Sequence, residues 1–576
     1  MMEGVAGAPV RLTRRGKLAD VKGLTLAACL TACAAGAPQP TAQNAPPRVA
    51  AVRDGIGADL DSQDARTSLF ANWDDFVDPE GGPVIYEWAV GTNPGATDLQ
   101  DWSHVGGATR GITERAELPV GSTVYVSVRA TDLQGNRSQV ASSDGIVIGQ
   151  PEAAPSVRPG QPPPVKTGFQ AAVDHHGITW TFDRPTQAGR FVNGDWWVVG
   201  PVHIVAITPI SALDGGRVRN GAMINPDPKV QQQGYDSTMF GEAAAGRYDP
   251  ALNVAFDLSR QRPLQLQPGQ SLVSTVSVPL AGQMPQLERC AVLTCLDATP
   301  PADAFRPPYC GSDKSCRWFA GKLDLTRLLR LEPAAGAPLV SDLVERFEHT
   351  WLDHVPGGTG RYLHPTQNMP DYGRELSDLV GIGALMLQID LPPQEKQRLA
   401  IAMVQLGIDL HGVVQNGGRF LADGGSGSGR KFPVLLAGAL LQDQDLLRSA
   451  REPRFAFAED AQTFYVAETA PGVCNGGHGG YGPEDVGLPE WGNRHADDPS
   501  LDAKSWTGDP YRRCCTANVW AGFVLATRIM GLRDEWAHPA LFDYVDRYLQ
   551  IEPRGAWTRA WTPFVERMWD RYRAQF

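Results

Sequence analysis

The residue types able to move protons or hold anions concentrate in the connections between helical patterns in residues 336–576. His364, Asp371, Tyr372, Arg374 and Glu375 fall in one such connection, and His411 and Asn416 end another. Arg430 and Lys431 open the next helical pattern, and Glu459, Asp460 and Tyr465 follow it. A long polar stretch then carries His478, Tyr481, Glu484, Glu490, Trp491 and His495, and Tyr511, Arg512, Arg513 and Asn518 precede the next apolar run. Two chemistries suit this set. Removing a proton beside a carboxylate, with loss of a leaving oxygen, needs cations or amides against the carboxylate, a base, and an acid. Asn416, Arg430, Arg512 and Arg513 suit the first task, and His411, His478, Tyr372, Tyr465 or Tyr481 the others. Breaking an acetal with water instead needs two carboxylates flanking the bond. Asp371, Glu375, Glu459, Asp460 and Glu490 are the candidates, although the adjacent Glu459 and Asp460 cannot face one spot on a regular element. Arg374 and Lys431 complete the cations expected to bind substrate, and Trp491 offers a flat apolar face.

The stretch beginning at Asn416 is dense in glycine up to Gly429 and runs through Arg430 and Lys431 into Phe432-Pro433-Val434-Leu435-Leu436. Glycine permits tight turns and close approach. Backbone N–H groups and two cations at a helix start suit an anionic ligand, so this loop is expected to rim a substrate cleft. The same composition also serves a connection that only turns the chain.

The elements that must position these residues have helical periodicity. Helices are predicted near 339–354, 374–390, 393–412, 431–449, 516–531, 538–550 and 560–574, with Leu376, Leu379, Val380, Gly383 and Leu387 at spacings of three and four. The short connection at 390–393 predicts an antiparallel hairpin. The polar stretch at about 452–515 is long enough to be functional. Helix pairs with polar loops at one end resemble the (α/α) toroids of polysaccharide lyases and glycoside hydrolases. Seven helices do not complete a six-hairpin ring, so the resemblance is to a partial toroid over residues 336–576. It implies cleavage of an anionic, uronate-containing polysaccharide by β-elimination, with Tyr465, His478, Tyr372, His411, Asn416 and Glu459 as catalytic candidates. Glycoside hydrolysis is the alternative, and a non-catalytic glycan-binding envelope lipoprotein is a third.

Upstream the pattern is β. Arg11, Arg14, Arg15, Lys17 and Lys22 precede the apolar run Leu24 to Leu30 and then Leu30-Thr31-Ala32-Cys33. This resembles a bacterial lipoprotein signal, residues 1–33, too short to span a bilayer. The resemblance implies acylation of Cys33, a lipid anchor in the membrane and, with Ala34 next, outer-membrane sorting. Residues 34–50 read as a flexible tether and 150–166 as a stiff proline-rich linker. Between them, residues 51–149 alternate in strands bounded by turns. Asn72-Trp73-Asp74, Tyr86 to Gly91 and Tyr125 to Asp132 resemble a fibronectin type III-like sandwich, which implies a spacer. Asp59, Asp61 and Asp64 read first as a solvated acidic turn and second as a structural calcium site; no cofactor is expected.

Residues 167–335 read as a second β-sandwich-like domain. Its Cys290, Cys295, Cys310 and Cys316 are spaced C-x4-C and C-x5-C, unlike a zinc site, and in an exported chain are expected to form two disulfides. Cys474 is expected to pair with Cys514 or Cys515. The whole reads as a multidomain chain of two β domains and an all-α C-terminal domain. Its 576 residues carry a net charge of −12, which excludes a general nucleic-acid binder. Neither a P-loop, a dinucleotide fingerprint in its strand-to-helix setting, HExxH nor a G-x-S-x-G elbow is present.

Overall fold

The computed structural model describes residues 44–576 except 56–58, 64–67, 108, 115–117, 133, 150–167, 239–245, 280–285, 358–362, 366–372, 423–424, 452–455, 493–497, 502–509 and 556. The proposed signal, tether start and proline-rich linker, with Cys33, Asp64, Asp371, Tyr372 and His495, lie outside the described residues. The chain forms two compact units, Met1–Ala154 and Pro155–Phe576. No helix among the described residues is long and apolar enough to cross a membrane.

The first unit contains β1 (Val52–Asp54), β2 (Ser62–Gln63), β3 (Ser68–Trp73), β4 (Ile85–Gly91), β5 (Gln100–Gly106), β6 (Arg110–Glu114), β7 (Thr123–Thr131), β8 (Ala141–Ser142) and β9 (Ile146–Ile148). One sheet is ordered β1-β3-β6, the other β2-β9-β7-β4-β5 with β8 on β7. Val124, Val126, Val128 and Ala130 alternate into a shared core with Trp73, Tyr86 and Trp88, as a period of two dictates. Tyr86 faces Ala130 and Trp88 faces Val128 across the β4–β7 pair. The Tyr86 hydroxyl accepts the Phe76 N–H (2.9 Å), tying the loop before β4 to that core.

The second unit opens with β10 (Gly168–His175), β11 (Ile178–Arg190), β12 (Trp196–Val199), β13 (Val202–Thr208), β14 (Ala212–Asp214), β15 (Arg217–Arg219), β16 (Ala222–Ile224), β17 (Leu264–Leu266), β18 (Gln270–Ser277) and β19 (Leu287–Leu296). Its main sheet runs β16-β18-β19-β12-β11-β13-β17, with β10 on β11. One face carries Trp180, Phe182, Leu272, Leu293 and Cys295 into a core of their own. The opposite face carries Val273, Cys290 and Val292 into a core that continues through the helices. Sheet and helical region therefore share their largest apolar cluster.

An ion-pair hub crosses that junction. Arg306 is fully buried; its Nε donates to Asp195 Oδ2 (2.5 Å), and its two terminal nitrogens donate to the Asp409 carboxylate (2.9 and 2.5 Å). Gln405 bonds the backbone N–H and C=O of Arg306 (3.0 Å each). A guanidinium taken out of water survives only with its donors filled, and here they are.

The helical region contains α1 (Val340–Glu348), α2 (Gly373–Met386), α3 (Pro393–Gln415), α4 (Lys431–Leu441), α5 (Gln444–Arg451), α6 (Ala458–Ala461), α7 (Pro510–Cys514), α8 (Ala517–Ile529), α9 (Arg533–Trp536), α10 (Pro539–Ile551) and α11 (Pro563–Tyr572). The predicted 431–449 helix is two, broken where Gln442 takes a left-handed conformation (φ 55°). The polar stretch 452–515 holds short strands β20 (Thr463–Tyr465), β21 (Glu468–Ala470), β22 (Val473–Cys474) and β23 (Pro489–Trp491), paired β20-β23 and β21-β22. Helices α2 and α8 cross at Gly381 and Gly522, where a Cβ on Gly522 would lie 2.7 Å from Gly381 Cα.

The expected disulfides among Cys290, Cys295, Cys310 and Cys316 are corrected: all four are free thiols. Cys290 and Cys295 are an odd number of residues apart on β19, so they point to opposite faces. Cys290 and Cys310 sit in the core shared with the helices, Cys295 in the other sheet core, and Cys316 against a fourth cluster around Trp197. The pairing expected for Cys474 is corrected too. Its thiol is free, and Cys514 is joined to the adjacent Cys515.

Candidate functional site

An open cleft of about 690 Å³ lies between α6, β20, the turn at 475–478 and the start of α10. Tyr465, Asp460, Asn475, His478, His538 and Arg451 are among its lining residues. Strand β20 buries Thr463 and Phe464 and leaves Tyr465 exposed at its end. The Tyr465 hydroxyl donates to Asp543 Oδ2 (2.5 Å), and Arg533 donates to Asp543 Oδ1 (2.8 Å). Partial burial and the Asp543 carboxylate push the phenol up to about 12, so it keeps its proton at neutral pH.

Asn475 adopts a left-handed backbone (φ 45°), which asparagine tolerates better than most residues. Its Oδ1 accepts the Ala467 N–H (2.9 Å), which fixes the amide orientation. The Nδ2 end is buried and has no hydrogen-bond partner. A buried amide donor left open is costly in a folded chain and rare. His478 follows directly; its N–H donates to Asn475 O (3.1 Å), and its side chain is exposed. His538 holds Nε2 against Thr463 Oγ1 (2.8 Å). Asp460 accepts the Trp536 indole N–H (2.8 Å) and pairs with Lys431 on the side away from the cleft.

The glycine-rich loop stands behind this wall and does not rim it. Lys431 is buried between Asp460 and the Trp536 carbonyl. Arg430 is buried as well; its Nε donates to Asp353 Oδ2 (3.0 Å) and NH1 to the Ser428 carbonyl (2.8 Å). His364 Nε2 meets Asp353 Oδ1 (2.8 Å), completing a buried Arg–Asp–His group. Burial pushes the Asp353 carboxyl up, but Arg430 and His364 together hold it well below the usual range. The glycines are required by packing. Gly425 (φ 95°) carries no Cβ because one would lie 1.9 Å from the Cys515 carbonyl oxygen, and at Gly429 (φ 86°) one would meet Ser377 Cα at 2.9 Å. Glu459 accepts the Gly429 N–H (3.3 Å) with one oxygen and has no partner for the other. Burial, then the neighbouring Asp460, raises it to about 7.

The remaining sequence candidates are dispersed. His411 and Asn416 line a separate cavity of about 330 Å³ with Arg317, Asp445 and Arg448. The His411 ring bonds Ser449 Oγ (2.8 Å), and burial, then Arg317, lowers it to about 4. Asn416 spends its amide on the Gly412 carbonyl (2.8 Å) as the end cap of α3. Arg374 bonds Glu375 (3.1 Å) and the Cys514 carbonyl (2.9 Å) and lies over the Trp561 ring. Arg512 and Arg513 both donate to Glu552 (2.9 Å each). Trp491 is fully buried on β23, so it presents no face to a ligand. The structure thus brings Tyr465 and His478 together, places Asp460 beside them, and adds Asn475, His538 and Arg451. The only sequence signal for Asn475 is its place before two glycines, where a left-handed residue is common.

No known family profile and no curated protein matches the chain. Among solved structures, it is similar to the PKD domain of an M14-like peptidase from a Thermoplasmatales archaeon, at 18% identity over 19% of this chain and 99% of that one, TM-score 0.15. It is also similar to the FN1-FN3 domains of chicken CNTN1, at 14% identity over 44% of this chain and 69% of that one, TM-score 0.16. A match to trypsin-activated alpha-2-macroglobulin from Escherichia coli has 8% identity over 91% of this chain and 39% of that one, TM-score 0.15.

Proposed function

We propose that the chain is a polysaccharide lyase that cleaves a uronate-containing glycan by β-elimination in the cleft of Tyr465, Asn475 and His478. The observation that carries this reading is one cleft lined by the exposed His478 imidazole, the protonated Tyr465 phenol and the exposed Arg451 guanidinium. Arg451, with the buried Asn475 amide behind it, binds the uronate carboxylate and drains charge from the adjacent carbon. His478 takes the proton from that carbon. The electron pair forms the C4–C5 double bond as the C4–O bond breaks, and Tyr465 gives up its hydrogen bond to Asp543 and passes its proton to the leaving oxygen, a stronger base than its own phenolate. A phenol held near 12 suits the acid role and not the base.

Hydrolysis is the second reading, favoured by Asp460 and Asp498 lining the same cleft. The supporting picture around either chemistry is a partial (α/α) toroid, a fibronectin type III-like spacer and an acylated Cys33 at the outer membrane.

The deciding test is incubation of the purified chain with a panel of uronate polymers (alginate, pectate, glucuronan, glycosaminoglycans), followed by ultraviolet absorbance. Unsaturated product with one polymer, lost in His478→Ala, is the expected result. New reducing ends without the chromophore would replace elimination by hydrolysis. Binding without turnover would leave a glycan-binding protein.

A further inference from the structure

The first unit contains a second arrangement that no proton chemistry uses. Asp54 ends β1, Asp59 follows in the next loop, and Asp144 lies in the turn before β9. One carboxylate oxygen from each lies within 4.8 Å of the others. Asp54 is fully buried; the Ser143 hydroxyl and the Gly145 N–H, which Oδ2 accepts (3.2 Å), favour its charged form, while no hydrogen bond reaches Oδ1. Asp59 is held in place because its Oδ1 accepts the Asp54 N–H (2.9 Å). None of the three makes an ion pair among the described residues, and the nearby Arg53 is spent on Asp74 (2.8 Å).

Asp59 and Asp144 both repel the Asp54 carboxylate, the attraction of Arg53 reaches Asp59 alone, and a buried oxygen without a donor adds a desolvation cost. A bound divalent cation removes both penalties at once. We propose that Asp54, Asp59 and Asp144 form a calcium site. Hard carboxylate oxygens suit calcium, and a site built from a strand end and two loops suits its flexible coordination, with water completing the shell. Nitrogen and sulfur donors, which zinc and copper prefer, are absent from the set. The membership differs from the sequence expectation, since Asp61 is not in the group and Asp54 and Asp144 come from 90 residues apart. The site would clamp β1, in the three-stranded sheet, to the β9 end of the other sheet.

The test is thermal unfolding and calorimetric titration of the full chain, with calcium chloride against chelator. Calcium is expected to raise the first unit's unfolding midpoint by about 5 °C. Asp144→Asn, an exposed change, is expected to weaken calcium binding at least about tenfold and to leave the chelator midpoint within about 1 °C. Equal midpoints with calcium and chelator, and no heat of binding, would overturn the site. An undiminished shift in Asp144→Asn would overturn the ligand set, and an equal shift with magnesium would overturn the choice of ion.

Discussion

The glycine-loop group and the cleft it backs are built from the same residue types and reach opposite ends. Behind the wall, Arg430 is spent on Asp353, and Lys431 is spent on Asp460, which also lines the cleft. On the open side, His478 and Arg451 are exposed, and the Asn475 amide beneath them keeps a buried donor unfilled. Charge density in a sequence therefore does not separate a spent ion pair from a working site. What separates them is whether the partners are already filled, and those partners come from distant segments.

The largest expected effect lies on the buried side. Arg430→Ala strands Asp353 without its cation and is expected to cost about 3–5 kcal/mol, read by urea unfolding. On the open side, His478→Ala is expected to leave stability within about 0.5 kcal/mol while lowering kcat by about 10²–10⁴-fold on the substrate polymer. If His478→Ala unfolded the chain instead, the contrast between the two sides would fail. Asn475→Asp puts a carboxylate where the amide should receive one. It is expected to raise KM for a uronate polymer about tenfold, an effect that added salt should reduce.

The smallest effect is a slope. Glu459 is raised in the folded chain from an ordinary 4.5 to about 7, so the folded state binds its proton more tightly than the unfolded state. Its stabilising contribution is full below about 4.5 and is lost as pH rises through about 7. Glu459→Gln should flatten that part of the stability–pH curve, measured by denaturant midpoints across the window. An unchanged slope would remove Glu459 from the buried group's electrostatics.

Much of the framework was legible before any coordinates. Val124, Val126 and Val128 announce a half-buried strand by parity alone, and the 393–412 prediction lies within α3. The break at Gln442 was missed although Asp443 signals it, its Oδ1 accepting the Asp445 and Leu446 N–H groups (2.9 and 3.0 Å) as the cap of α5. Tyr465 and His478 were legible as types, and their shared cleft was not. Asn475 escaped notice because its openness depends on the Ala467 N–H claiming the other end of the amide. The cysteines were misread because a close spacing along the chain says little when strand parity sends neighbours into different cores.

The Arg306 hub bears on how this protein can be taken apart. The guanidinium comes from the segment between sheet and helices, and its two carboxylates come one from each. Splitting the gene after residue 335 would leave Asp409 in the helical piece without its cation, beside an apolar face that the sheet no longer covers. Neither fragment is then a sensible unit for expression or for grafting. In any recombination that keeps function, residues 168–576 must travel as one cassette.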